Sequence, residues 1–166
     1  MRHGASMRVP LRRRREGRTD YRRRLNLLRS GKARAVVRKS LKHITIQFAD
    51  IATPGDRVRA AAMSGELKEY GWTAPTGNLP AAYLTGLLAG KRAAGQGITE
   101  AVLDLGRQVP SKGGRLFAAL QGILDAGVTV PHSKEVLPPP NRLSGEHLPA
   151  GTSAMYQEVK SKLEVL

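Results

Sequence analysis

The sequence predicts a small three-layer α/β sandwich with a mixed, partly antiparallel sheet, preceded by a basic N-terminal arm and helix and followed by an extended C-terminal tail. Three observations predict it. Alternating, β-branched runs at 35–39 and 43–48 have the period of paired strands. Two stretches, one after Asn78 and one after Gly113-Gly114, carry apolar residues at helical spacing. Between them a short, mostly apolar run at 101–105 suits a strand covered on both faces. Elements in this order stack helices on both sides of a sheet, and 166 residues suffice for one such domain with some appended tail.

Residues 1–33 read as the arm and first helix. The arm contains four consecutive arginines, Arg12 to Arg15, and no apolar periodicity, so residues 1–18 are expected to be disordered when free. Thr19 and Asp20 are helix-capping residues. Tyr21, Leu25 and Leu28 then recur at i, i+4 and i+7 until Ser30-Gly31 stops the helix, with Arg22, Arg23, Arg24 and Arg29 over the rest of its surface. Residues 34–130 read as the core domain. Its first two strands, joined by Ser40-Leu41-Lys42, place Ile44, Ile46 and Phe48 on one face. Thr53-Pro54-Gly55-Asp56 signals a turn, Arg57 to Met63 suits a third strand, and a Gly-rich loop runs through Gly71, Gly77 and Asn78.

Asn78 can cap the next helix, which tolerates Pro80 in its first turn and aligns Ala82, Tyr83, Leu87 and Ala94 on one face as far as Gly95-Gln96-Gly97. The helix opened by Gly113-Gly114 carries Leu116, Leu120, Ile123 and Leu124 on one side and ends at Gly127. Residues 131–166 read as a tail. Pro131, Pro138-Pro139-Pro140 and Pro149 keep it extended, and a last short helix over 153–164 has few apolar positions: Met155, Tyr156, Val159 and Leu163.

Charge narrows the function. The chain carries 28 Lys and Arg against 13 Asp and Glu, a net +15, which calls for a polyanion or an anionic membrane. Residues 1–43 hold 16 of those cations and 2 of the acids, and the remainder is close to neutral. Thirteen of the 16 are arginines, whose planar fork bonds phosphate bidentately and stacks on bases. Nucleic acid is therefore favoured over a lipid surface. With no cysteine, disulfides and Cys-bearing zinc sites are excluded and a reducing interior is the expected setting. The longest apolar stretch, Leu79 to Gly90, is too short to span a bilayer, and no apolar run follows the basic start as a secretory signal requires.

The arginine-rich arm is the leading candidate site. Without counter-charge its cations repel one another, so binding outweighs the reading of a merely solvated run. Tyr21 is read first as a packing residue and second as a base-stacking platform. Arg38, Lys39, Lys42 and His43 carry the basic surface onto the first hairpin, where strand alternation lets only some face one partner. Gly113-Gly114-Arg115 at a helix start suits either a phosphate site or a tight helix lead-in. Catalysis is poorly supported. Asp50, Asp56 and Asp104 could be imagined as the metal-binding trio of a ribonuclease-H-like enzyme, but the first two lie near turns, where Asp is a favoured turn residue. His3, His43, His132 and His147 lack metal-ligand spacing. The rival readings are a general RNA- or DNA-compacting protein and, well behind, a metal-dependent nuclease.

The segments RRRREGRTDYRRRLNLLRSGKARAVVRKSLKHI (12–44), GNLPAAYLTGLLAGKRA (77–93), AVLDLG (101–106) and GGRLFAALQGILDAGVTVPHS (113–133) resemble ribosomal large-subunit protein eighteen, the universal 5S rRNA-binding family, in its archaeal form. The likeness runs from about Val9 to His147. It implies a three-layer α/β core and a non-catalytic, cytoplasmic role in the large ribosomal subunit. There the family attaches 5S rRNA to the large-subunit rRNA in the central protuberance, beside neighbouring proteins that include the one numbered five. No cofactor, metal, membrane or small-molecule substrate is implied. The family's RNA-binding arm falls on Arg12, Arg13, Arg14, Arg15, Arg18, Tyr21, Arg22, Arg23 and Arg24, and its hairpin contacts on Arg34, Arg38, Lys39, Ser40, Lys42 and His43. Arg29, Gly114 and Arg115 join the candidate surface from the residue reading alone.

Overall fold

In the computed structural model, residues 9–53 and 55–166 are described. Four strands, β1 (Ala33–Lys39), β2 (Ile44–Ile51), β3 (Asp56–Met63) and β4 (Ala101–Asp104), form one sheet in the order β3-β2-β1-β4. The tight turn at 40–43 makes β1 and β2 antiparallel, with Val37 opposite Ile46 and Ala35 opposite Phe48. β2 and β3 are also antiparallel, and their register shifts at Phe48/Ala49. β4 pairs parallel with β1, aligning Val36 with Asp104. The sheet is therefore mixed, as predicted, and the third strand begins one residue earlier than expected.

Strand alternation gives this sheet two unlike faces. Ala35, Val37, Ile44, Ile46 and Phe48 are fully buried on one, beneath α3 (Leu79–Gly95) and α4 (Arg115–Asp125). Asn78 caps α3 as predicted, its Oδ1 accepting from the Ala81 amide at 2.9 Å. Most of α3 is buried, so it lies inside the molecule rather than presenting one apolar face; Ala94, assigned to that face, is exposed, and Ala93 is buried instead. Helix α3 is enclosed because α4 crosses it at backbone contact. A Cβ added to Gly86 would lie 2.1 Å from the Ala119 carbonyl oxygen, and one on Gly122 would lie 2.1 Å from that of Tyr83. Only glycine permits this crossing.

Other elements differ from the expectation in instructive ways. The loop before α3 contains a 3-10 turn, Glu66–Tyr70, and buries Leu67 and Trp72. The tail has helical turns at Lys134–Val136 and α5 (Pro140–Leu143) and ends in α6 (Thr152–Glu164). Although α6 has few apolar residues, Tyr156, Val159 and Leu163 are all buried against the core. The Tyr156 ring lies 5.6 Å from that of Tyr83 on α3. In the arm, Arg12–Arg15 make one turn of helix, α1, where an irregular segment was expected.

Candidate nucleic-acid interface

The second sheet face is polar, and the basic N-terminal segment lies on it. Asp20 caps α2 (Tyr21–Leu28), accepting from the amides of Arg22 and Arg23 at 3.0 and 3.1 Å. The predicted stripe of Tyr21, Leu25 and Leu28 is correctly spaced for a helix but finds no core. No residue of α2 is buried, and Leu25 is 52% exposed. Instead Arg23, Arg24 and Leu27 turn toward a cavity of about 330 Å³, whose floor includes Arg34, Val36 and Arg38 of β1, Gln47 of β2 and Asp104 of β4.

A chain of alternating charges crosses that cavity wall. Arg24 donates to both oxygens of Asp56 at 2.9 Å. Arg34 Nη2 lies 2.6 Å from Asp56 Oδ2, a charge contact outside hydrogen-bond geometry. Arg34 Nη1 donates to Asp104 Oδ2 at 3.0 Å, and Arg38 Nη2 reaches Asp104 Oδ1 at 3.2 Å. Burial pushes the Asp104 carboxyl upward, but the Gly106 amide, the Arg38 charge and hydrogen bond, and the Arg34 hydrogen bond together outweigh it, leaving Asp104 below the usual carboxylate range.

Arg34, expected to contact RNA, has a side chain only 4% exposed and lies between two carboxylates. Arg38 remains part-exposed, held by Asp104 through side chain and carbonyl. The arm places its other arginines outside. Arg12 and Arg18 make exposed ion pairs with Glu16, Arg13 donates to the Thr19 hydroxyl, and Arg23 donates to the Gly106 carbonyl at 3.1 Å. Among the described residues, no side-chain partner is found for Arg14, Arg15, Arg22 or Arg29, all exposed. Tyr21 is half-buried.

The hairpin residues divide similarly. The Ser40 hydroxyl closes the turn, donating to the His43 carbonyl at 3.0 Å and accepting from the His43 amide at 2.9 Å. The His43 ring lies 3.2 Å from the Thr76 hydroxyl. Lys39 exchanges two backbone hydrogen bonds with the Gln108 amide and keeps its side chain part-exposed, while Lys42 is exposed. At the start of α4, Arg115 Nη1 donates to the Gly77 carbonyl at 2.7 Å, tying this helix to the loop ahead of α3. A Cβ on Gly114 would meet the Ser111 hydroxyl at 2.6 Å. These contacts support the tight lead-in; nothing about them singles out a phosphate.

Sequence reasoning missed Asp56 and Asp104 as anchors of the arm. It weighed both as metal ligands, and Asp56 also as a turn residue. Here each faces arginine, and Asp50 faces Arg59 at 3.4 Å. Among the described residues, no group of three or more His, Asp or Glu is placed to hold a metal ion, and no helix is long and apolar enough to cross a membrane. Arg107, which also lines the cavity, was missed as well.

Comparison with known proteins gives a consistent assignment. Residues 5–98 match the family described as ribosomal large subunit proteins 60S L5 and 50S L18. The large ribosomal subunit protein uL18 of Halobacterium salinarum is 54% identical over 145 residues, 87% of this chain and 79% of the relative. Those of Korarchaeum cryptofilum and Aeropyrum pernix are 53% and 52% identical over 90% and 95% of this chain, covering 77% and 74% of their own lengths. With more than half its length matched and relatives above half identity, this chain belongs to the ribosomal large-subunit L5/L18 family, whose members are structural constituents of the ribosome rather than enzymes.

Proposed function

We propose that this protein binds 5S rRNA and helps attach it to the large-subunit rRNA in the central protuberance, beside neighbouring ribosomal proteins that include the one numbered five. The observation that carries the reading is the separation of cations in the N-terminal segment. Arg34 is neutralised inside the protein, whereas Arg12 to Arg15, Arg18, Arg22 and Arg29 point outward. Such an exposed array suits the phosphates of a folded RNA, whose deep groove side chains do not read and whose shape and single-stranded features select the partner. Lys42 extends the surface along the hairpin, with Arg38 and Lys39 part-exposed behind it. In this reading residues 1–33 act as the RNA-binding unit, 34–130 as the scaffold that aims it, and 131–166 as a tail for neighbouring rRNA or protein.

The test is competition at physiological salt between labelled 5S rRNA, duplex DNA and anionic vesicles. Preference for 5S rRNA supports the proposal, and equal affinity for duplex DNA or vesicles overturns it. Deleting residues 1–24 removes the arginines of α1 and of α2 but, among the described residues, no buried side chain. Binding is therefore lost while the α3–α4 core stays folded. A truncated protein that still binds would place the interface elsewhere.

A further inference from the structure

We infer that Asp56 and Asp104, two carboxylates inside a basic surface, are positioning residues for the RNA-binding arm: they hold α2 on the sheet and thereby raise RNA affinity despite their negative charge. The inference rests on the RNA-binding reading above.

The geometry gives α2 little else to hold it. None of its residues is buried, and Leu27 is the only leucine of this helix that lines the cavity beneath it. Among the described residues, the tertiary hydrogen bonds of its side chains run to two places. Arg24 reaches both oxygens of Asp56, and Arg23 reaches the Gly106 carbonyl. Asp104 stands behind both anchors. On one side it orients Arg34, whose other end meets Asp56. On the other, its Oδ1 accepts from the Gly106 amide at 2.8 Å, fixing the turn at a glycine of φ +58° that presents the carbonyl to Arg23. Two acids thus connect β3, β1, β4 and α2 through alternating charges. A charge contact of this kind is worth more behind a partly buried wall than in open water.

Electrostatics without positioning predicts the opposite sign. Removing a carboxylate from a surface that binds a polyanion should strengthen binding. Asp50 provides the matched control, because it sits near the end of the neighbouring strand β2 and pairs with Arg59 rather than with the arm.

The experiment uses the full chain as wild type, Asp56→Asn, Asp56→Glu and Asp50→Asn. Hydrogen exchange is read without RNA, and anisotropy with labelled 5S rRNA across a salt series. In Asp56→Asn, exchange of the α2 amides rises while α3 and α4 stay protected, and affinity falls about fivefold, the scale of one well-aligned ion pair. Asp56→Glu recovers part of the loss, and Asp50→Asn binds as well as wild type or better. The inference is overturned if Asp56→Asn binds as tightly as wild type, if its α2 exchange is unchanged, or if Asp50→Asn loses as much. Arg24→Met cuts the same link from the helix side and leaves Arg34 both carboxylates. Exchange of α2 must rise there too, which keeps the test decisive should Asp56→Asn loosen the core. Wild type failing to bind 5S rRNA would overturn the functional reading instead, leaving the exchange result to judge the anchoring.

Discussion

The division of the arginines into internal and external sets predicts the salt dependence of RNA binding. Each phosphate neutralised by a Lys or Arg releases condensed counterion, so log K falls with log salt at about 0.9 per phosphate on a duplex and about 0.7 on a single strand. Counting every cation of residues 1–43 as a contact gives a slope of about −14. The structure removes Arg24, Arg34 and Arg38, which face carboxylates, Lys32, paired with Glu100, Arg23, held by a carbonyl, and the part-exposed Lys39; Arg2 and Arg8 lie outside the described residues and are not counted. The outward set, Arg12 to Arg15, Arg18, Arg22, Arg29 and Lys42, amounts to about eight contacts and a slope of about −7 on duplex RNA. Raising monovalent salt from about 50 to 200 mM should then weaken binding about 10⁴-fold. Fluorescence anisotropy with labelled 5S rRNA measures this directly. Arg14→Gln and Arg22→Gln should each reduce the slope by about one, with similar losses on any RNA sequence. A slope near −14, one shallower than about −2, or an unchanged slope in the Arg14→Gln, Arg22→Gln double variant would refute the partition.

Stability offers three further checks. Gly122→Ala drives a methyl into the Tyr83 carbonyl at the α3–α4 crossing, so it should cost about 3 kcal/mol, the upper end for overpacking, and lower Tm by about 6–12 °C in calorimetry. Gly95→Ala at the open end of α3 meets nothing within 4 Å and should be neutral or stabilising by up to about 1 kcal/mol. In acid, Asp104 releases its proton more readily folded than unfolded. Its contribution is therefore full above the unfolded value of about 3.9 and is lost as pH falls through the lower folded value. Urea midpoints should drop below about pH 4, and Asp104→Asn should flatten that drop. In alkali the sign reverses: burial pushes Tyr156 up to about 12 and Tyr83 higher still. Both must ionise more easily unfolded, so stability should decline from about pH 10 upward, less steeply in Tyr156→Phe.

Where structure is decided locally, the residues made it legible. The Asn78 cap, the Gly127 stop at φ +95° and the alternation of Ile44, Ile46 and Phe48 depend on neighbours a few positions away. The fate of each arginine does not. Alternation along β1 puts Arg34 and Arg38 on one face, but only the β1–β4 register, which sets Asp104 opposite Val36, and the course of β3 bring carboxylates to that face. Helical periodicity likewise found the stripe on α2 but could not show whether a core faced it. The last helix was legible too, at 153–164 with few apolar positions, but not what it meets: Tyr156, Val159 and Leu163 pack on α3, a helix already buried.

The polar anchoring of the arm follows from what its helix must present. α2 has eight residues, three of them consecutive arginines, and a helix this short turns only a narrow stripe toward any surface. Packing it hydrophobically would require Leu25, Leu27 and Leu28 to share that stripe, but at 3.6 residues per turn they spread over about 160° of the helix circumference, wider than a stripe of that kind. Arginine solves the problem by reach: its long side chain lets Arg24 meet Asp56 from a helix lying above the sheet rather than pressed into it. A part-exposed ion pair such as Arg24–Asp56, with side chains 37% and 25% exposed, contributes little net stability. Its value is directional, because Arg24 Nη2, shared between the two Asp56 oxygens, and the Arg23 contact to the Gly106 carbonyl hold α2 at two points. Held this way, the helix turns Arg22 and Arg29 outward, so the charges hidden beneath the helix determine which charges remain outside it.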